Sequence, residues 1–108
     1  KVRWNDQHFG AAVGNQMEVG FHELVAHASA TRSLPAGTLI GSGTVSNRQY
    51  EAVGSSCISE RRAIDLIEFG EIRTPFMQFG DQIEMETTLE DGSPLFGVLR
   101  QRVVKYEG

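Results

Sequence analysis

Residues 82–105 read QIEMETTLEDGSPLFGVLRQRVVK. Across 82–89, Ile83, Met85 and Thr87 alternate with Glu84, Glu86 and Thr88, the period of a strand with one face covered and the other wet. Asp91-Gly92 then supplies a turn, and residues 95–105 return as a second strand that carries Arg100, Arg102 and Lys105 among valines and leucines. This predicts a C-terminal β-hairpin or meander. Its acidic residues, Glu84, Glu86, Glu90 and Asp91, are of the type that holds hard divalent cations, but period-2 alternation predicts the solvent face of an amphipathic strand.

Outward from the hairpin, residues 2–4 and 8–11 read as two short strands joined by the polar Asn5-Asp6-Gln7 turn. In FHELVAHASATR, residues 21–32, Phe21, Leu24, Val25 and Ala28 stand at helical spacing, with Gly20 before them and Leu34-Pro35-Ala36-Gly37 after. Residues 38–40 are a short β-rich run and 47–56 an irregular loop. Residues 61–69, with Ile64, Leu66, Ile67 and Phe69, fit a strand or one to two helical turns; frequent isoleucine and the lack of a clear cap favour the strand. The expected fold is α+β, mostly β: a small helix on a mostly antiparallel or mixed sheet.

The 108 residues, 40% of them hydrophobic, suffice for one small domain and one modest core. Ten Lys and Arg against 14 Asp and Glu give a net charge of −4 with the basic residues scattered, which argues against a nucleic-acid or acidic-membrane partner. Cys57, the only cysteine, forms no internal disulfide and leaves no thiolate set for zinc, so a reducing, cytoplasmic setting is expected. No apolar run approaches the ~20 residues of a membrane span, and KVRWNDQHFG lacks the pattern of a signal peptide. Without an initiator Met, and with Lys1-Val2-Arg3-Trp4 alternating like a strand interior, the chain is expected to begin mid-protein.

His22 and His27 suggest a zinc-protease pair but stand five apart, not four. On a helix that places the imidazoles roughly 140° apart around the axis, so they read as polar-face or packed residues. The stretch GTLIGSGTVSN, residues 37–47, lacks the Lys-Ser/Thr ending of a P-loop and the third glycine of a dinucleotide fingerprint; alone it reads as a tight turn. In Cys57-Ile58-Ser59-Glu60, no spacing pairs a histidine with the thiol, so Cys57 reads as an inert buried cysteine and Glu60-Arg61-Arg62 as a solvated charge cluster.

The order of the pieces carries more than any one of them. A helix, LPAGTLIGSGTVSN, GSSCISE, TPFMQFGDQIEME and a closing DGSPLFGVLRQRVV hairpin together resemble the C-terminal part of the fumarylacetoacetate hydrolase family over residues 9–104. AGTLIGSGTVSN and FGDQIEME are the most specific elements, the latter matching a Gly-Asp pair that opens a strand of an antiparallel hairpin. The resemblance implies a mixed β-sheet roll with short helices, here incomplete, with residues 1–108 as the C-terminal part of the catalytic domain of a homodimer.

It also implies an activity: metal-dependent cleavage of C–C bonds in small dicarbonyl acids such as fumarylacetoacetate or acylpyruvates, as in aromatic compound catabolism. A related isomerase or decarboxylase, or a non-catalytic binding or assembly module of the same fold, are the alternatives; a thiol enzyme using Cys57 is a third. In the family chemistry Mg²⁺ or Ca²⁺ chelates the dicarbonyl oxygens and a His-Glu dyad activates water. Carried over by position, Thr44 is the substrate-binding threonine with Gly43 beside it, and Glu60 is the catalytic glutamate. No metal ligand transfers, since Glu84 and Glu86 lie in the closing hairpin; the ligands and the catalytic histidine are expected upstream, and the fragment alone is expected to be inactive.

Overall fold

Asn5 and Asp6 both take left-handed backbone angles, φ 49° and 64°, in the computed structural model, which describes residues 1–108. Two such residues make the turn that matches the twist of a hairpin, and short polar side chains tolerate it. They join β1 (Val2–Trp4) to β2 (Gln7–Gly10). Phe21–Ser29 forms α1, Tyr50–Val53 the single turn α2, Ile58–Phe69 α3, Gln82–Thr88 β3 and Pro94–Arg102 β4. The sheet order is β2-β1-β3-β4, antiparallel at every pairing, so the expected α+β architecture is present.

The sheet is pinned at one corner by Asp81. Its Oδ2 accepts the Gln78 N–H at 2.8 Å and its Oδ1 accepts Asn5 Nδ2 at 2.8 Å, while Asn5 Oδ1 accepts the Gln82 N–H. The bond from Asn5, then that from Gln78, holds the Asp81 carboxyl below its ordinary range. This is the physical use of the Gly-Asp pair: Gly80, at φ 96°, turns the chain and Asp81 ties that turn to the hairpin at Asn5.

Glu84 departs from its expected place on a solvent face. Register sets Arg3 and Arg100 on either side of it, and Glu84 is buried between them, with Arg100 Nε at 2.9 Å and Arg3 Nη1 at 3.6 Å. Alternation correctly separates Glu84 from Ile83 and Met85. It says nothing of arginines on neighbouring strands, whose stems cover a carboxylate while their heads pair with it.

Residues 61–69 are helical, not strand-like, and the reason lies in what α3 turns inward. Ile58, Arg61, Arg62 and Asp65 recur at helical spacing and are buried or half-buried, whereas Leu66, Ile67 and Phe69 are 49%, 78% and 44% exposed. A helix whose covered face is charged defeats a reading based on apolar spacing. Gly70, left-handed at φ 74°, closes it and donates to Leu66 O at 3.1 Å. Asp65 then accepts the N–H groups of Arg73 at 3.0 Å and Thr74 at 2.6 Å and faces Arg61 Nε at 3.4 Å. Arg62 donates to Thr74 O and lies over the Phe76 ring, so the strap after α3 is folded back by charged groups. The expected glutamate-arginine surface cluster is therefore half-buried.

Two smaller expectations also change. Residues 38–40 pair with no strand, and the loop at 47–56 contains the helical turn α2. The end of β2 meets that region at unusually short range: a Cβ on Gly10 would lie 2.1 Å from Ser55 O, and Gly10 and Gly54 form an isolated antiparallel bridge.

Six residues are buried and Ile64 is the one apolar side chain among them. The chain exposes 8423 Å², against about 6,000 Å² for a compact monomer of this length. Its radius of gyration is 16.5 Å, against about 13 Å. No helix is long and apolar enough to cross a membrane.

Two outcomes follow from these contacts. Gly10→Ala is expected to lower stability by about 1–3 kcal/mol in chemical denaturation, whereas Gly43→Ala, with nothing near its Cβ position, changes it by less than about 0.5 kcal/mol; equal effects would refute the contact. Burial alone would raise the Asp65 carboxyl, but the bonds from Thr74 and Arg73 and the Arg61 charge outweigh it and hold it below its ordinary 3.8. A depressed folded value contributes stability that is fully present above 3.8 and is lost as pH falls through the lowered value. Asp65→Asn is expected to remove that part of the acid-unfolding curve; a curve of unchanged shape would rule it out.

Candidate active site

The glycine-rich stretch is held at its two ends and free between them. At its start the Thr38 N–H and Oγ1 both donate to Pro35 O, at 3.2 and 2.7 Å, and Gly37 takes φ 90°. This local turn replaces the expected strand at 38–40. At its end Asn47 is buried, its Oδ1 accepting the Val13 N–H at 2.8 Å and its Nδ2 donating to Val13 O at 2.9 Å. A side-chain amide that bonds both backbone groups of one residue acts as a strand partner would. Arg48 N–H adds a bond to Gln16 Oε1 at 2.8 Å.

Between these anchors Gly43 and Thr44 form a wall shared by two open cavities. One, of about 520 Å³, lies toward Met17, Leu24 and Arg48; the other, of about 600 Å³, lies toward Met85, Phe96 and Leu99. A Cβ at Gly43 would touch nothing else in the chain, so its bare backbone faces the cleft.

Thr44 and Glu60 are brought to the same four-residue turn, 54–57, just before α3. Thr44 lines one cavity together with Ser56 of that turn. Glu60, on the first turn of α3, accepts a hydrogen bond on Oε2 from Ser55 Oγ. Ser55 is 2% exposed and its Oγ also accepts the Cys57 N–H at 3.1 Å. Cys57 is half-buried, and the Glu60 N–H, then the Thr44 hydroxyl, lower its thiol from the ordinary 9.0. It is thus more acidic than the inert cysteine expected from spacing alone.

Chemically, this cluster offers a hydroxyl on a glycine-lined cleft and a carboxylate in a fixed orientation, with Glu60 Oε1 making no hydrogen bond within the chain. His8, His22 and His27 are exposed, and none of them partners Glu60. No three His, Cys, Asp or Glu side chains converge on a common point, and Glu84 is taken up by Arg3 and Arg100. These residues do not fit a divalent ion by themselves.

Ser55 and Asn47 were not singled out from the sequence. Ser55 had a usable signal: a serine three residues before α3 begins can receive the N–H two residues on, at Cys57, in a local side-chain turn. Asn47 had none, because its partner Val13 lies 34 residues away.

The Cys57 environment predicts a reactivity. Near pH 7.5, alkylation of Cys57 by iodoacetamide is expected to exceed that of an unperturbed thiol, and Thr44→Val to slow it by roughly two- to fivefold. Identical rates for the two proteins would separate Thr44 from Cys57.

No curated protein matches the chain. The family described as Fumarylacetoacetate (FAA) hydrolase C-terminal matches residues 1–104, from β1 through the end of the β3–β4 hairpin and across the Thr44 and Glu60 segments. With nearly its whole length matched, the chain belongs to the fumarylacetoacetate hydrolase family.

Proposed function

We propose that these residues serve a metal-dependent hydrolase that cleaves a C–C bond in small dicarbonyl carboxylic acids of the acylpyruvate or fumarylacetoacetate kind. The observation that supports the reading best is that the turn holding Glu60 through Ser55 also lines, through Ser56, the cleft walled by Gly43 and Thr44. The Thr44 hydroxyl donates to a carboxylate or carbonyl oxygen of the substrate. Gly43 leaves room for that end of the molecule. Glu60 takes up the proton of the dyad that activates water.

Mg²⁺ or Ca²⁺ supplies stabilisation of the departing enolate when bound. Its ligands and the dyad histidine are assigned to residues outside these 108. A second copy of the chain is the proposed partner. The uncovered apolar residues, among them Leu39 at 95% and Phe96 at 86% exposure, suit such an assembly. A reducing cytoplasm suits the unpaired Cys57.

The test is an acylpyruvate cleavage assay on the natural-length protein, following loss of enol absorbance with Mg²⁺ and then with a chelator. Metal-dependent turnover is expected. Glu60→Gln is expected to lower kcat by about 100-fold or more, and Thr44→Val to lower kcat/KM by about 10- to 100-fold, the loss of a hydrogen bond to a charged group. If both variants stay folded and turn over normally, the site is misplaced. If the folded wild-type protein has no turnover on any dicarbonyl acid, the non-catalytic binding module becomes the better reading.

A further inference from the structure

We propose that Ser55 is the positioning residue for Glu60, a role that rests on the reading of Glu60 as the proton-accepting carboxylate. Three observations converge on it. Ser55 is 2% exposed, so its hydroxyl is closed to solvent and must find partners inside the chain. Its single proton has two acceptors in reach, Glu60 Oε2 and Cys57 O at 3.2 Å. A carboxylate is the stronger acceptor, so the proton goes to Glu60. A lone pair of the same oxygen accepts the Cys57 N–H at 3.1 Å, which fixes the hydroxyl from the other side.

Ser55 is in turn fixed by the sheet. Its carbonyl packs against Gly10 at a distance that excludes any Cβ there, and Ala11 N–H donates to Val53 O at 2.7 Å one step before the turn. Ser55 therefore connects β2 to a side chain on the first turn of α3. It occupies Oε2 and leaves Oε1 as the oxygen of Glu60 free to take a proton. Glutamate has three side-chain torsions, and a reacting carboxylate loses rate when it is free to leave the productive orientation.

A purely structural serine would behave differently, so kinetics in the natural-length protein decide the matter. Ser55→Ala, checked for folding by circular dichroism, is expected to lower kcat by about 10- to 100-fold with KM within about twofold. Ser55→Thr, which keeps the hydroxyl, is expected to recover most of that loss. On a Glu60→Gln background, adding Ser55→Ala is expected to change kcat by less than about twofold, because the group it positions is already gone. An unchanged kcat in Ser55→Ala, or the same factor lost on both backgrounds, overturns the proposal. If Ser55→Ala does not fold, Ser55→Cys, close in shape but a weak donor, is judged by the same criteria. Failure of the underlying reading is distinct: Glu60→Gln alone would then retain normal turnover.

Discussion

The contact between Gly10 and the Ser55 carbonyl is the constraint on which the arrangement depends. Backbone meets backbone there at a range no side chain permits, since even a methyl group would sit 2.1 Å from Ser55 O. Gly54, at φ 68°, turns the chain on the other side of the contact. From this point Ser55 reaches Glu60, and Ser56 lines a cavity with Thr44. One local approach of two segments, far apart in sequence, thus sets the positions of two candidate site residues that belong to neither segment.

Around that contact the chain is organised more by charge than by oil. Glu84 between Arg3 and Arg100, and Asp65 between Arg61 and the strap after α3, hold strand to strand and helix to loop. Such clusters specify geometry well and stabilise weakly, because taking ions from water offsets much of their attraction. With Ile64 as the single buried apolar side chain, the usual hydrophobic contribution is small within these residues. The larger share of the apolar surface lies outside, on α3 and β4, where Leu66, Ile67, Phe69, Phe96 and Leu99 stand exposed.

How far the sequence could be read follows from the same division. The β3–β4 hairpin and α1 were legible because their patterns are local and periodic, and the β1–β2 turn because Asn-Asp is a turn pair. α3 was misread because its covered face mixes Arg61, Arg62 and Asp65 with Ile58 and Ile64, while Leu66, Ile67 and Phe69, which ordinarily reveal a helix, face outward. Glu84 was misplaced because its burial depends on arginines 81 and 16 residues away, on neighbouring strands, which alternation within β3 does not describe. The roles assigned to Thr44 and Glu60 came from resemblance alone; neither residue has a local pattern that marks it.

The parts of the chain that announce the fold are therefore not the parts that build the candidate site. The hairpin supplies periodic sequence and a regular ladder, while Thr44, Ser55 and Glu60 lie on an irregular loop, a turn and the first helical residues after it. Regular strands tolerate many apolar substitutions of the right period, since their pairing is carried by backbone groups. A turn that must satisfy Ser55, seat a carbonyl on Gly10 and orient a carboxylate has several requirements on each atom at once. Its information is held in specific residues, Gly10, Gly54 and Ser55, whose necessity is visible only when the segments they join are seen together.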